Sequence, residues 1–294
     1  MNLSQFITLI SLAAIWGASF MLMRIAAPEI GPVALIAARA AIGFITLLPF
    51  LLMYKGVRDV VNNWFGIFVV GVTNTAIPFV LLAFATLTLS AGLTSILNAT
   101  APIFAGLVAF VWLKERLTFI KTAGLIVGFS GVVVLFVGKG NLSFDDTAIA
   151  IIAGLIAALN YGYAACYTKK KLTGVSTIAI ATGSQFFAAI VYIPFLPATW
   201  PTMPVSSLAM YSTLALGAVC TALAYILYFR LIASLGPEKA ITVAYLIPVF
   251  GVIWGVLFLQ EIVTLSMLMG AALILFGVSM TTGMLKMKTS KSNN

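Results

Sequence analysis

Two stretches, "ATAPIFAGLVAFVWLKE" (Ala99 to Glu115) and "YLIPVFGVIWGVLFLQE" (Tyr245 to Glu261), decide how this chain is read. They lie 146 residues apart, and each sets a proline (Pro102, Pro248) thirteen positions ahead of a glutamate (Glu115, Glu261) across an almost wholly apolar run. The same offset carried outward aligns Gly124 with Gly270 and Gly131 with Gly277. An offset of 145 aligns Trp16-Gly17 with Tyr161-Gly162 and Arg24 with Lys169. Glycine is frequent in membrane helices, so the proline and glutamate pairs carry most of the argument for an internal repeat.

The surroundings of these stretches fix the solvent. Of 294 residues, 62% are hydrophobic and 8% charged, with a mean hydropathy of +1.16. A soluble domain carries roughly 25% charged residues, so lipid is the solvent that suits this inventory. Alternating ten-residue segments, the mark of a membrane β-barrel, are absent from the pattern. Charges, prolines and small polar clusters divide the chain into ten spans, at 5–27, 33–54, 64–88, 91–112, 118–138, 147–168, 174–195, 206–233, 237–259 and 264–284. Each has the roughly 20 residues that a helix needs to cross the hydrocarbon. The first run, Ile7 to Ala27, has full spanning length and no basic residue before it, so it reads as a retained helix and not a signal peptide. The predicted fold is all-α and polytopic: a five-helix repeat over 1–140, a second over 141–285, and a disordered basic tail over 286–294.

Five spans per half is an odd number, so the second half inserts upside down relative to the first. One set of loops holds Lys55, Arg58, Lys114, Arg116, Lys121, Lys169, Lys170, Lys171, Arg230, Lys239, Lys286, Lys288 and Lys291; only Arg24, Arg39 and Lys139 fall elsewhere. Thirteen against three predicts that both termini are cytoplasmic, in the inner (plasma) membrane. The net charge of +9 then reports orientation and lipid contact, not nucleic-acid binding. Inverted repeats are the architecture of secondary transporters, whose sites lie near midplane between the halves.

The "WGASF" of the first span, the arginine in "AARAAIGFITLLP" and the two proline-to-glutamate blocks resemble the drug/metabolite transporter superfamily, most of all its EamA-type exporters. The resemblance covers essentially the whole chain. It implies a ten-helix basket around a central cavity that moves a small metabolite by alternating access. The second half departs from the first in having Tyr161 in place of a tryptophan and Gln185 near the position of Arg39.

Polar residues at midspan predict what lines such a cavity, because a polar side chain in hydrocarbon needs a partner or water. They are Trp16 and Ser19 in the first span, Thr73, Asn74 and Thr75 in the third, and Asn98 and Thr100 in the fourth. Asn160 and Tyr161 follow in the sixth, Ser184 and Gln185 in the seventh, Thr221 and Tyr225 in the eighth, and Tyr245 in the ninth. Spans one to four and six to nine are therefore expected around the cavity, with five and ten as scaffold; the alternative for each residue is a bridge between neighbouring helices. Trp16, Phe79, Tyr161, Tyr225, Tyr228 and Tyr245 could stack planar cargo or simply pack. Gly124-x3-Gly128 and Gly251-x3-Gly255 fit close contacts within a monomer better than dimerisation, so a monomer or weak homodimer is expected.

Three further features carry chemistry. Pro102 and Pro248 each remove a backbone donor and crowd the carbonyl four residues back, at Asn98 and Ala244, so a symmetric hinge or gate is expected there. Arg39 is a charge deep in the second span, suited to a carboxylate or phosphate of the cargo; the structural alternative is an ion pair with Glu261 or Glu29. Glu115 and Glu261 could act in coupling or in structural ion pairs.

Other classes are excluded by what is missing. There is no histidine, no intramembrane carboxylate pair and no metal-binding cluster in the sequence, so neither an enzyme nor a cofactor is predicted. Asp145-Asp146 reads as a helix cap, and Cys166 and Cys220 as small buried side chains. Gly138-Lys139-Gly140 lacks the spacing and hydroxyl of a nucleotide-binding loop. The cargo that one arginine with amide, hydroxyl and aromatic neighbours favours is an amino acid or related zwitterion or carboxylate. Resemblance to the superfamily also permits uptake of a metabolite and export of lipophilic cations.

Overall fold

The computed structural model describes residues 2–138, 145–236, 240 and 242–283, and these are helical apart from caps and short connections. Among them, besides a short helix at Val57–Asn62, ten long helices follow the chain: α1 (Leu3–Ile30), α2 (Pro32–Met53), α3 (Trp64–Thr88), α4 (Ala91–Leu113), α5 (Phe119–Val137), α6 (Asp146–Lys171), α7 (Thr177–Thr199), α8 (Ser207–Leu235), α9 (Val243–Leu259) and α10 (Leu265–Thr281). The first eight are long and apolar enough to cross a membrane, and the last two, at 17 residues each, sit at the lower limit. Large apolar side chains point outward all round the bundle, among them Ile45, Val133, Leu257 and Phe276, as lipid requires. The expected boundary at 140/141 and the tail at 286–294 lie outside the described residues.

Polar residues end the spans. Asn2 and Gln5 form a reciprocal capping box at α1, and Ser90, Thr118, Asp145, Ser206 and Thr264 each cap the helix that follows. Lys114 and Gln260, 146 residues apart, both turn left-handed to stop α4 and α9, at φ 58° and 54°. The helices run alternately between two ends. At the terminal end Gln5 donates to the Ser234 carbonyl, and the Ser176 N–H donates to Asp59. At the far end Ser206 binds Glu29 through both its N–H and its hydroxyl.

The inverted repeat is visible as paired contacts. On α1, a Cβ at Gly17 would lie 2.6 Å from Phe250 Cβ and 2.9 Å from the Gly251 nitrogen on α9. On α6, a Cβ at Gly162 would lie 2.6 Å from the Ala105 nitrogen and 2.8 Å from the Phe104 carbonyl carbon on α4. Gly17 and Gly162 occupy equivalent positions, as do Phe104-Ala105 and Phe250-Gly251, so each half lends one helix to a backbone-close crossing with the other. The glycines of α5 and α10 do the same: a Cβ at Gly124 would meet the Gly277 carbonyl at 2.7 Å, and one at Gly131 the Gly270 carbonyl at 2.8 Å. These two helices pack on each other, outside the rest.

Two spans change their winding at midlength. Gly71–Ala76 in α3 and Ala218–Leu223 in α8 are π-helical turns, each surrounded by ordinary α-helix. They begin 147 residues apart, so they too are related by the repeat. An inserted residue rotates everything after it around the axis, and such turns gather at functional sites.

The proline pair behaves differently in its two copies. In α4 the helix stops at Asn98, turns through Ala99 and Thr100, and resumes at Ala101 with Pro102 in its first turn. In α9 the described helix starts after Thr242 and runs unbroken through Pro248. Among the described residues, then, the helix break beside a proline is seen at Pro102, whereas Pro248 lies within continuous helix. α9 tolerates its proline because residue 248 leaves one helical bond unmade without needing a turn.

Candidate functional site

A cavity of about 310 Å³ lies at the centre of the bundle. It is lined from α1 by Trp16, Ser19, Phe20 and Met23, from α2 by Arg39, and from α3 by Asn74, Phe79 and Leu82. Asn98, Ala99, Ala101 and Pro102 of α4 surround the helix break, and Tyr161 comes from α6. The π turn of α8 gives Cys220 and Thr221, followed by Tyr225 and Tyr228, and α9 closes the ring with Val243, Ala244 and Ile247. Seven of the ten helices contribute. Among the described residues no carboxylate lines the cavity.

Arg39 is its one charge among the described residues and is 3% exposed. Its Nε donates to Thr221 Oγ1 at 3.0 Å, its Cζ stands 3.8 Å over the Phe79 ring, and Nη1 lies 3.8 Å from Met23 Sδ. Nε and one face of the plane are therefore used, whereas the Nη1/Nη2 edge meets only the weak thioether acceptor. That edge matches one carboxylate held by two parallel hydrogen bonds. The expected alternative, a pair with Glu261 or Glu29, is corrected: Glu261 pairs with Arg24 and Glu29 accepts from Ser206. Both acids had helix ends to satisfy, and those lie at the far surface, away from the guanidinium.

The π turns explain how a threonine reaches Arg39. Thr221 Oγ1 donates five residues back to the Leu216 carbonyl at 2.9 Å, a bond the wide turn leaves available, while its other side accepts from Arg39. Gly43, one turn after Arg39 on α2, makes room for it; a Cβ there would lie 2.9 Å from Thr221 Cγ2. Asn74 occupies the equivalent place in the α3 turn and also faces the cavity. Tyr192 of α7 braces that turn by donating to the Ala76 carbonyl.

Eleven sequence-predicted residues meet at the cavity: Trp16, Ser19, Arg39, Asn74, Phe79, Asn98, Pro102, Tyr161, Thr221, Tyr225 and Tyr228. The others are placed elsewhere: Thr73 and Ser184 donate to carbonyls of their own helices, at Val69 and Ala181, and Thr75 accepts from Gln185. Thr100 is fully buried and donates to Leu97 within the α4 break, and Asn160 donates to Ile156 of its own helix. Gln185, also fully buried, donates to Thr75 at 3.4 Å, so α7 supports α3 and contributes nothing to the lining. Tyr245 shares a hydrogen bond with Thr282 after α10, and Pro248 packs inside α9. Of the residues not foreseen in the lining, Met23 and Cys220 carry no signal beyond their position in apolar spans.

Each end of the bundle carries an ion pair between the two halves. At the far end Arg24 Nε lies 3.3 Å from Glu261 Oε1, and Arg24 Nη1 donates to the Thr86 and Leu89 carbonyls that end α3. Glu261 in turn accepts from the Ala91 and Gly92 N–H groups that start α4, at 2.7 and 3.1 Å. A cation thus sits on a helix C-terminus and a carboxylate on a helix N-terminus, each favoured by the backbone dipole. At the terminal end the equivalent residues, Lys169 and Glu115, meet at 2.7 Å in a more exposed pair. Lys169 holds the Glu115 carboxyl below its ordinary range. From the central cavity, Asn74 and Tyr225 lead into a second one of about 250 Å³, lined also by Thr168, Thr177, Ser184 and Phe229 on the terminal side.

Comparison with known proteins gives the same duplication. The EamA-like transporter family matches residues 3–137 and again 148–283. An uncharacterised transporter of Bacillus subtilis, YoaV, is 25% identical over 278 residues, covering 93% of this chain and 95% of its own. A probable terminal-alkyne amino-acid exporter of Streptantibioticus cattleyicolor is 29% identical over 211 residues, covering 71% of this chain and 69% of its own. A protein of known crystal structure shares the fold with a TM-score of 0.67 at 17% identity, over 97% of this chain and 98% of its own.

Proposed function

Because the chain belongs to the EamA-like transporter family, and is thus a multi-pass membrane protein and secondary transporter of small molecules, we propose that its cargo is a carboxylate-bearing metabolite, above all an amino acid or related zwitterion, held at Arg39. The observation that carries this reading is the buried guanidinium itself, placed in the central cavity with its outer edge unmatched by any carboxylate among the described residues. A charge kept at that depth costs stability unless it has a use, and a planar fork suits a carboxylate. Lipophilic cations fit less well, since the lining offers them aromatic rings but also a fixed positive charge and no acid.

Efflux is the direction that the arrangement favours. The basic loops support a cytoplasmic terminal end, in the inner membrane, through the positive-inside rule. The second cavity leads toward that end, and the far end is held by the Arg24–Glu261 cluster. Cargo would enter from the cytoplasm past the more exposed Lys169–Glu115 pair, and opening of the Arg24–Glu261 pair would release it on the far side. Trp16, Ser19, Asn74, Asn98, Tyr161 and Tyr225 surround the cargo in this reading. The test is ligand binding to the purified protein across acids, amino acids and amines, with Arg39→Gln alongside. Carboxylate ligands should weaken about 10- to 100-fold in the variant, the range set by a charged hydrogen bond. Unchanged affinities across the panel would remove the role given to Arg39.

A further inference from the structure

We propose that Asn98, at the break in α4, selects cargo that carries an N–H group as well as a carboxylate, so that the site takes amino acids ahead of plain carboxylic acids. The proposal rests on the carboxylate reading of Arg39. Asn98 Oδ1 is buried, belongs to a residue that lines the central cavity and has no hydrogen-bond partner among the described residues; Ser19 Oγ, also buried in the lining, has the Cys220 thiol as its neighbour. The Asn98 backbone adds a further acceptor: its carbonyl would take the N–H four residues on, and position 102 is a proline. Thr100 cannot fill the gap, because its hydroxyl donates to Leu97.

Buried acceptors without donors cost more than a made hydrogen bond gains, so whatever fills the cavity is selected for supplying donors. An ammonium group does so. No carboxylate competes for it among the described lining residues, and the aromatic side chains of Trp16 and Tyr161 share the lining. A plain carboxylate satisfies Arg39 but brings no N–H to the Asn98 Oδ1 and carbonyl acceptors. An amine without a carboxylate meets Arg39 as a like charge. Sites built to hydrogen-bond a polar group reject analogues that lack it more sharply than apolar pockets reject a missing methylene.

The test uses matched triples on the purified full-length protein: alanine, propionate and ethylamine; leucine, isocaproate and isoamylamine; phenylalanine, hydrocinnamate and phenethylamine. In the triple whose body fits, the amino acid should bind about tenfold more tightly than the acid, the worth of one well-placed hydrogen bond to a charged group. Asn98→Leu should erase that difference by weakening the amino acid alone. Pro102→Ala, which restores an N–H to the Asn98 carbonyl and mends the helix, should reduce it without a risk to folding. Equal binding of acid and amino acid in every triple, or a preference that survives both substitutions, overturns the role of Asn98. If no acid and no amino acid binds, the carboxylate reading itself fails and takes this assignment with it; equal binding of acid and amino acid to the wild-type protein, with both lost in Arg39→Gln, overturns the role of Asn98 and leaves the carboxylate reading standing.

Discussion

Arg24 Nε lies 3.3 Å from Glu261 Oε1, joining the first helix of one half to the residues that follow the fourth helix of the other. The inverted copy of the same pairing, Lys169 with Glu115, closes at 2.7 Å on the opposite end. The far pair is the better supported: the Glu261 side chain is 9% exposed and caps α4, whereas the Glu115 side chain is 39% exposed. Half-buried, multiply bonded charges contribute more than exposed pairs, whose worth is about 0–1 kcal/mol.

Removing the far pair should therefore shift the conformational balance. In a Cys166→Ser, Cys220→Ala background, Ser19→Cys should react with a membrane-impermeant maleimide mainly from the terminal side. Glu261→Gln or Arg24→Gln should raise labelling from the far side by about fivefold to tenfold, as a loss of about 1–1.4 kcal/mol implies. Glu115→Gln should do much less. Equal effects at the two ends would contradict the ranking.

The glycine crossings are predicted to be equivalent. Gly17→Val and Gly162→Val each push a branched side chain into backbone of the other half, at Gly251 and at Ala105. Overpacking of this kind costs about 1–3 kcal/mol, and both variants should melt several degrees lower in detergent. A loss confined to one of them would break the symmetry argued from these contacts.

Most of the fold was legible because hydropathy and helix length are one-dimensional properties. Nine of the ten expected spans start and end within a few residues of the observed helices, and α9 is shortened by the turn at Thr242. Depth was legible too. The face of the helix was not: Asn98 and Thr100 share a depth, yet one reaches the cavity and the other bonds Leu97. Azimuth depends on which neighbour a helix packs against, and here also on two π turns that no local residue pattern announced. Those turns rotate Asn74 and Thr221 inward, and the second of them brought Arg39 a neutral partner in place of the acids that its charge suggested.

Transport should depend weakly on pH between about 6 and 8. The depressed Glu115 carboxyl is ionised throughout that window; its pair with Lys169 is complete at neutral pH and is lost only as the pH falls through a value below the ordinary 4.5. Among the described residues no acid lines the cavity to carry a proton through it. Flux measured with and without an imposed proton gradient should differ by less than about twofold. Strong accumulation driven by the gradient and abolished in Glu261→Gln would instead make Glu261 a coupling residue.

The Arg39 contact with Thr221 gives a further expectation. Thr221→Val removes the acceptor but keeps the shape, leaving Nε without its oxygen and costing about 1–3 kcal/mol in a buried site. Cargo affinity should fall about tenfold or more, while Thr221→Ser should restore most of it. Identical behaviour of the valine and serine variants would show that only packing matters there.

Counterflow in proteoliposomes tests the central claim most directly. Vesicles loaded with unlabelled amino acid should take up labelled amino acid faster than empty ones, and Arg39→Gln protein, reconstituted to the same level, should lose that acceleration. Failure of every acid and amino acid to cross, or exchange that proceeds equally well without the arginine, would contradict it.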